Sequence, residues 1–171
     1  EHTGDGPLSP LGVYAQTTAA GDLAVGTARR HYLLRTSWVI GEGNNFVRTM
    51  ARLAANDVSP DVVSDQVGRL TFTTELSRAT RHLIDAGAEP GTYHVSNAGP
   101  AMSWAEIAAA VFELCGRDPG DVRPITSAEY AAGKSLAPRP MNSSMSLVKI
   151  RATGFQPSDA RRALTSYLVG E

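Results

Sequence analysis

An α/β fold with parallel strand pairing is what this 171-residue sequence predicts, and three observations carry the prediction. Apolar residues recur at helical spacing in several separated stretches. Between them lie short runs rich in β-branched and aromatic residues. One run, His31 to Ile40, is almost continuously apolar, as strands covered on both faces are.

Taken in order, Tyr14 to about Arg29 carries good helix formers at Ala15, Ala19, Ala20, Leu23 and Ala24, weakly interrupted by Gly21. The His31–Ile40 run reads as a central strand ended by Gly41. Asn45 to about Ala55 places Phe46, Met50, Leu53 and Ala54 at helical spacing, Pro60 follows as a stop, and Val62-Val63 supply a short strand. Thr73 or Thr74 is placed to cap a helix with Leu76, Ala79, Thr80, Leu83 and Ile84 on one stripe and Gly87 at its end. Thr92 to Ser96 reads as a strand. Ser103-Trp104-Ala105-Glu106 is a capping box, in which serine and glutamate satisfy free amides at a helix start. Ile107, Val111, Leu114 and Cys115 then form its inner face up to Gly116, with Cys115 a small core residue; Trp104 and Glu106 are explained by the same helix start. The stretch after Gly116 reads as irregular through Pro119, Pro124, Pro138 and Pro140. A last helix is expected from Ser158 to about Leu168, buried along Ala160, Leu164, Tyr167 and Leu168. Neither internal repeats nor low-complexity segments occur. The strands are too few for a complete parallel sheet.

Hydrophobic residues make up 42% of the chain and charged residues 19%, a composition suited to one globular core. Sixteen basic and 17 acidic residues nearly cancel, and no run of like charge exceeds Arg29-Arg30 or Arg161-Arg162. That distribution argues against a nucleic-acid partner. Cys115 is the one cysteine, and His2, His31, His82 and His94 are scattered, so neither an internal disulfide nor a metal is expected. No apolar run approaches the roughly 20 residues that span a bilayer. The expectation is a reduced, cytoplasmic protein with no membrane partner. The chain opens on Glu1 within a loop containing Gly4, Gly6, Pro7 and Pro10, which reads as the interior of a longer protein.

Tyr14 stands between a proline-containing loop and a helix. A tyrosine hydroxyl can give a proton to a carbonyl that accepts hydride, but it titrates near 10 when free, so such chemistry uses a nearby cation to lower that value. By itself, a tyrosine at a helix start is more simply a packing aromatic.

Read together, six blocks are more specific. Tyr14-x-x-x-Thr18-x-Ala20-Gly21-Asp22 is followed by Arg35-Thr36-Ser37-Trp38-Val39-Ile40-Gly41 and by Asn45-Phe46-Val47-Arg48. Then come Asp65-Gln66-Val67-Gly68-Arg69-Leu70-Thr71, Gly91-Thr92-Tyr93-His94-Val95-Ser96 leading to Ser103-Trp104, and Arg139-Pro140-x-Asn142-Ser143. In this order they resemble the dTDP-4-dehydrorhamnose reductase family, which are extended short-chain dehydrogenase/reductases, over about Pro10 to Leu168.

The resemblance implies the C-terminal portion of a Rossmann-like extended short-chain reductase, with an incomplete parallel sheet. Residues 1–60 would end the Rossmann-like part, including the catalytic-tyrosine helix and the following strand, and 61–171 would form the sugar-nucleotide-binding part. It implies Tyr14 as the catalytic tyrosine, Thr36 and Ser37 beside the nicotinamide, and Trp38 at the sugar. Asn45, Phe46, Gln66, Arg139 and Asn142 would border the nucleotide-sugar pocket, where an arginine suits a diphosphate and an aromatic face suits a sugar or base.

The expected ligand is a dTDP-sugar, and the cofactor of the parent protein is NADPH or NADH. The expected partner is an N-terminal dinucleotide-binding half, and a homodimer is also within the family's range. Gly41-Glu42-Gly43-Asn44-Asn45-Phe46 is the only near match to a glycine-rich phosphate loop, and it lacks the last glycine. This chain is therefore not expected to bind the cofactor well or to react alone.

Two residues depart from the family pattern: Thr18 stands at the lysine position, and Leu70 stands where a proline is usual. Thr18 leaves a second reading open, a non-catalytic homologue that binds a nucleotide sugar or regulates a partner enzyme. A reductase or epimerase for another nucleotide sugar is the third.

Overall fold

The computed structural model describes residues 1–3 and 9–170; Gly4, Gly6 and Pro7 of the expected N-terminal loop lie outside the described residues. The chain is α/β. Helix α1 is Val13–Gly26, followed by strands β1 (Tyr32–Arg35) and β2 (Val39–Ile40), helix α2 (Phe46–Ala55), and strands β3 (Asp61–Val63), β4 (Val67–Gly68) and β5 (Thr71–Phe72). Helix α3 (Thr73–Asp85), strands β6 (Gly91–His94) and β7 (Met102–Ser103) and helix α4 (Trp104–Leu114) come next. A 3₁₀ turn at Pro119–Asp121, strand β8 (Arg123–Ile125) and helices α5 (Ser127–Ala131), α6 (Val148–Ala152) and α7 (Ala160–Val169) complete the order.

Parallel pairing prevails, as expected. β1 pairs with β6, β2 with β5 and β3 with β8, all parallel, and β4 pairs antiparallel with β7. Each is a two-stranded ladder, so the apolar core does what a wide sheet would otherwise do. One cluster gathers Ile40, Val47, Met50, Phe72, Val111, Phe112 and Leu164 from β2, α2, β5, α4 and α7. A second gathers Leu83, Tyr93, Val95, Ile150 and Phe155 around α3, β6 and α6.

The caps explain why the best-defined helices begin where they do. Asn45 accepts the amide of Arg48 at the start of α2, Ser103 and Glu106 exchange the two bonds of a capping box at α4, and Asp159 accepts the amides of Arg161 and Arg162 at α7.

Several expectations are corrected. The His31–Ile40 strand is two strands, because Trp38 has φ 48° and turns the chain between them. β1 then pairs with β6 and β2 with β5, and β1 is half-buried along its length rather than enclosed. The cap of α3 is not a threonine: Phe72 precedes the helix in extended conformation and Thr73 is its first residue. The inner stripe of α3 is Glu75, Ala79 and Leu83, while Thr80 and Ile84 face solvent. A buried carboxylate rotates the stripe, because Glu75 accepts hydrogen bonds from the Ser158 amide (2.9 Å) and hydroxyl (2.7 Å) and from Arg78 (2.6 Å). Cys115 lies past the end of α4 and is exposed, not in the core. The segment after Gly116 is not wholly irregular, since it holds β8, α5 and α6.

Candidate functional site

The site is built around Trp38. A bulky side chain at positive φ costs roughly 1–3 kcal/mol, and surrounding bonds hold it there. The Thr71 amide donates to the Trp38 carbonyl (3.0 Å) and the Thr71 hydroxyl to the Ser37 carbonyl (2.6 Å). The turn aims the indole across β4, where Gly68 leaves room for it: a Cβ on Gly68 would lie 2.9 Å from Trp38 Cε2. On its other side Trp38 stacks on Trp104, with centroids 3.8 Å apart and planes 18° apart. Phe46 tilts against Trp104 at 4.6 Å. Trp104 is the first residue of α4, so its side chain leans back over the helix start toward Trp38.

Two polar segments flank this aromatic group. Gln66 precedes β4 and donates through Nε2 to the Ser127 hydroxyl at 2.8 Å. Asp65 accepts the Ser127 amide and hydroxyl (3.0 and 2.6 Å), and these bonds hold its carboxyl below the usual aspartate range. Asn142 lies beside Val67 in an isolated parallel bridge, secured by Val67 N to Met141 O and Ser143 N to Val67 O, both 2.8 Å. Its side-chain oxygen accepts from the Ser144 amide and hydroxyl.

The structure thus brings together Trp38, Phe46 and the segments carrying Gln66 and Asn142. Asn45 joins them by backbone, but its side chain is committed to its own loop, with Nδ2 donating to Gly41 O (2.8 Å) and to the Tyr167 hydroxyl (2.8 Å). Ser37 lies on the turn, its hydroxyl 3.5 Å from the Arg69 carbonyl, and Thr36 is exposed beside it. Arg139 is exposed in the segment between α5 and α6 and has no hydrogen bond or ion pair among the described residues.

Tyr14 stands apart. It is 81% exposed in the first turn of α1, and no hydrogen bond or ring contact ties its side chain to another described residue. Its carbonyl accepts the hydroxyls of Thr17 and Thr18, both at 2.9 Å, so the Thr18 side chain folds onto its own helix. α1 joins the rest through Asp22, which accepts from Arg35 Nε at 2.8 Å. At the end of β6, opposite Arg35 in register, His94 is 6% exposed with Nδ1 unpartnered. Burial, then the charge of Arg35, pushes its pKa down.

Among the described residues, the Gly41–Phe46 stretch does not make a pyrophosphate cradle. At the start of α2, where amides would meet an anion, Asn45 Oδ1 already accepts the Arg48 amide, and Asn45 Nδ2 also reaches the Gly43 carbonyl. Among the described residues there is no cluster of three or more His, Cys, Asp or Glu side chains fit for a metal, and no helix is long and apolar enough to cross a membrane.

Known proteins share this sequence and fold. The family model described as "RmlD substrate binding domain" matches residues 1–170. The chain belongs to the dTDP-4-dehydrorhamnose reductase family and corresponds to its C-terminal part. It is 42% identical over 164 residues to dTDP-4-dehydrorhamnose reductase of Mycolicibacterium smegmatis, covering 94% of this chain and 49% of that protein. It is 40% identical over 166 residues to a probable dTDP-4,6-dihydroxy-2-methyloxan-3-one 4-ketoreductase of Streptomyces antibioticus, covering 94% and 54%. Among solved structures, dTDP-4-dehydrorhamnose reductase from Bacillus anthracis, in complex with NADP, superposes with a TM-score of 0.88 at 31% identity, over 99% of this chain and 59% of that one. The chain spans about half the length of the curated relatives it matches. The α/β fold of an extended short-chain reductase, with an incomplete sheet, is thereby established.

Sequence reasoning missed Trp104, Gly68 and Tyr167. In the sequence the capping box accounts for Trp104, although a tryptophan at a helix start has room to reach outward. Gly68 was legible in part, since a glycine inside a strand marks a close approach.

Proposed function

We propose that this chain is the nucleotide-sugar-binding part of an NADPH-dependent reductase that converts the 4-keto group of dTDP-4-dehydrorhamnose to the alcohol of dTDP-rhamnose. The observation that carries the reading is the Trp38–Trp104–Phe46 group flanked by Gln66 and Asn142, in a family that includes proteins named as dTDP-4-dehydrorhamnose reductases. Residues 1–60 end the cofactor-side part and 61–171 form the sugar-nucleotide part.

In this reading an aromatic face receives the sugar or base, while Gln66 Oε1 and Asn142 Nδ2, without hydrogen-bond partners among the described residues, meet ligand polar groups. The unpaired guanidinium of Arg139 suits a diphosphate through paired hydrogen bonds. Tyr14 gives the proton to the developing alkoxide, and Thr36 and Ser37 flank the nicotinamide. In the same reading the dinucleotide is held by an N-terminal half of the parent protein, and this chain alone turns nothing over.

Thr18 supports a second reading. Its neutral hydroxyl is bonded to the Tyr14 carbonyl and supplies no cation. The parent is then a homologue that binds a nucleotide sugar without reducing it. Positioned proton transfer contributes about 10²- to 10⁴-fold, so the two readings differ measurably.

The test has two arms. Saturable quenching of the tryptophans by dTDP is expected of this chain, and its absence would remove the nucleotide-sugar reading. For the complete protein, NADPH oxidation with dTDP-4-dehydrorhamnose is measured beside a Thr18→Lys variant. Turnover by the natural protein supports the reductase; no turnover, with activity gained in the variant, establishes the non-catalytic homologue. Turnover only with another 4-keto dTDP-sugar would reassign the substrate.

A further inference from the structure

The loop between β2 and α2 carries Phe46 to Trp104 yet contains no regular structure, and one hydroxyl from the last helix holds it. Tyr167 Oη donates to the Gly41 carbonyl at 2.6 Å and accepts from Asn45 Nδ2 at 2.8 Å and from Arg48 Nε at 2.7 Å. A phenolic hydroxyl has one proton and two lone pairs, so its capacity is filled by these three bonds. Its partners bracket the loop: Gly41 is where the chain leaves β2, Asn45 is the cap of α2, and Arg48 is in the first turn of α2.

The ring that carries the hydroxyl is itself fixed. It tilts against Phe72 at 5.4 Å and lies under the Arg48 guanidinium at 5.5 Å. Its helix is anchored by buried Leu164 and by the Asp159 cap, and the chain just before it by the bonds from Ser158 to Glu75. A rigid element thus reaches across the chain to a loop whose other bonds, from Asn45 to Gly41, Gly43 and the Arg48 amide, are all internal to the loop and the start of α2.

We propose that Tyr167 is a positioning residue for the nucleotide-sugar site: its hydroxyl locks the Gly41–Asn45 loop and so seats Phe46 against Trp104 and the Trp38–Trp104 stack. It acts through Asn45 and Gly41 and touches no ligand. Removing the hydroxyl leaves the ring packing in place and leaves Asn45 its bonds within the loop, but cuts the link from Gly41, Asn45 and Arg48 to α7. Phe46 then loses its fixed approach. The ligand part of this inference rests on the nucleotide-sugar reading above; the placement of the loop does not.

The chain's two tryptophans are the stacked pair, which makes the test spectroscopic. Tyr167→Phe is compared with the wild-type chain and with Thr165→Ala, whose hydroxyl bonds only within α7. Three readouts are taken: the tryptophan exciton couplet in circular dichroism, amide exchange at Gly43 and Asn44, and dTDP affinity by fluorescence. Expected for Tyr167→Phe are a weakened couplet, faster exchange confined to the loop, and dTDP affinity lowered by about 2- to 12-fold, equivalent to one ordinary hydrogen bond at the ligand. Exchange in α4 stays as in the wild type, and Thr165→Ala changes none of the three. An unchanged couplet with unchanged loop exchange would overturn the proposal, as would equal acceleration throughout the chain, which would show a general loss of stability. If the wild-type chain does not bind dTDP, the nucleotide-sugar reading fails, and the couplet and exchange still decide the placement of the loop.

Discussion

α1 and α4 are both helices of more than ten residues, and they live in opposite environments. α4 begins with a complete capping box and buries Ala105, Ile107, Ala108, Ala110, Val111 and Phe112. α1 has no side-chain cap and no buried residue, and Val13, Tyr14 and Leu23 are exposed. Both sequences favour helix, so propensity does not separate them; tertiary burial does. The difference divides the candidate site in the same way. The proposed aromatic binding residues sit on elements fixed by a core, whereas the tyrosine of the proposed proton transfer sits on a helix without a buried residue, joined among the described residues by the Asp22–Arg35 ion pair.

The sharpest way to break this comparison is to truncate one apolar residue in each helix. Phe112→Ala, at a fully buried position, is expected to cost about 3–5 kcal/mol. Leu23→Ala, at a position 71% exposed, is expected to stay within about 0.5 kcal/mol of the natural chain. Chemical denaturation followed by circular dichroism measures both, and similar losses would mean that α1 is packed after all.

A smaller effect is expected at Glu75, which is only 2% exposed. Its carboxylate ties α3 to Ser158, and Ser158 in turn accepts from Asn97 Nδ2 at 2.9 Å. Glu75→Ala leaves the Ser158 amide and hydroxyl without their acceptor, and a loss of about 1–3 kcal/mol follows. Denaturation midpoints read it. A loss below about 0.5 kcal/mol would show that water replaces the carboxylate there.

The same division governs what the sequence discloses. α2, α4 and α7 are legible because caps and apolar spacing are local signals that agree with the core. The turn at Trp38 is not, since nothing in a run of apolar residues announces a tryptophan at positive φ; the bonds from Thr71 that hold it come from a distant strand. α5 and α6 are five residues each, too short to show a period. Among the expected site residues, Trp38 and Phe46 are linked through Trp104, which only the fold brings near. Cys115 shows the reverse failure: it fits the helical stripe by spacing, yet α4 ends before it.

His94 tests the strand end beside which α1 is attached. Its folded pKa lies below the ordinary value near 6.5, so in the window below that value the unfolded chain binds more protons than the folded one. Stability is therefore full above about pH 6.5 and falls as pH drops from there toward the lowered folded value. Thermal melts from pH 7.5 to 5.5 should show this decline, and His94→Phe should flatten it. An identical slope in the variant would assign the decline to other groups.

The smallest expected effect is at the attachment of α1 itself. Arg35 and Asp22 are both largely shielded, at 24% and 18% side-chain exposure, but one ion pair between a helix and a strand contributes about 0.2–1 kcal/mol. Asp22→Asn should barely move the global denaturation midpoint. Because α1 buries no residue, amide exchange within Val13–Gly26 should nonetheless quicken, while exchange in α4 is unchanged, since local opening is set by local contacts. If α1 exchanges no faster after the substitution, the ion pair is not what fixes the helix that carries Tyr14. The contrast between the two helices would then need another contact to explain it.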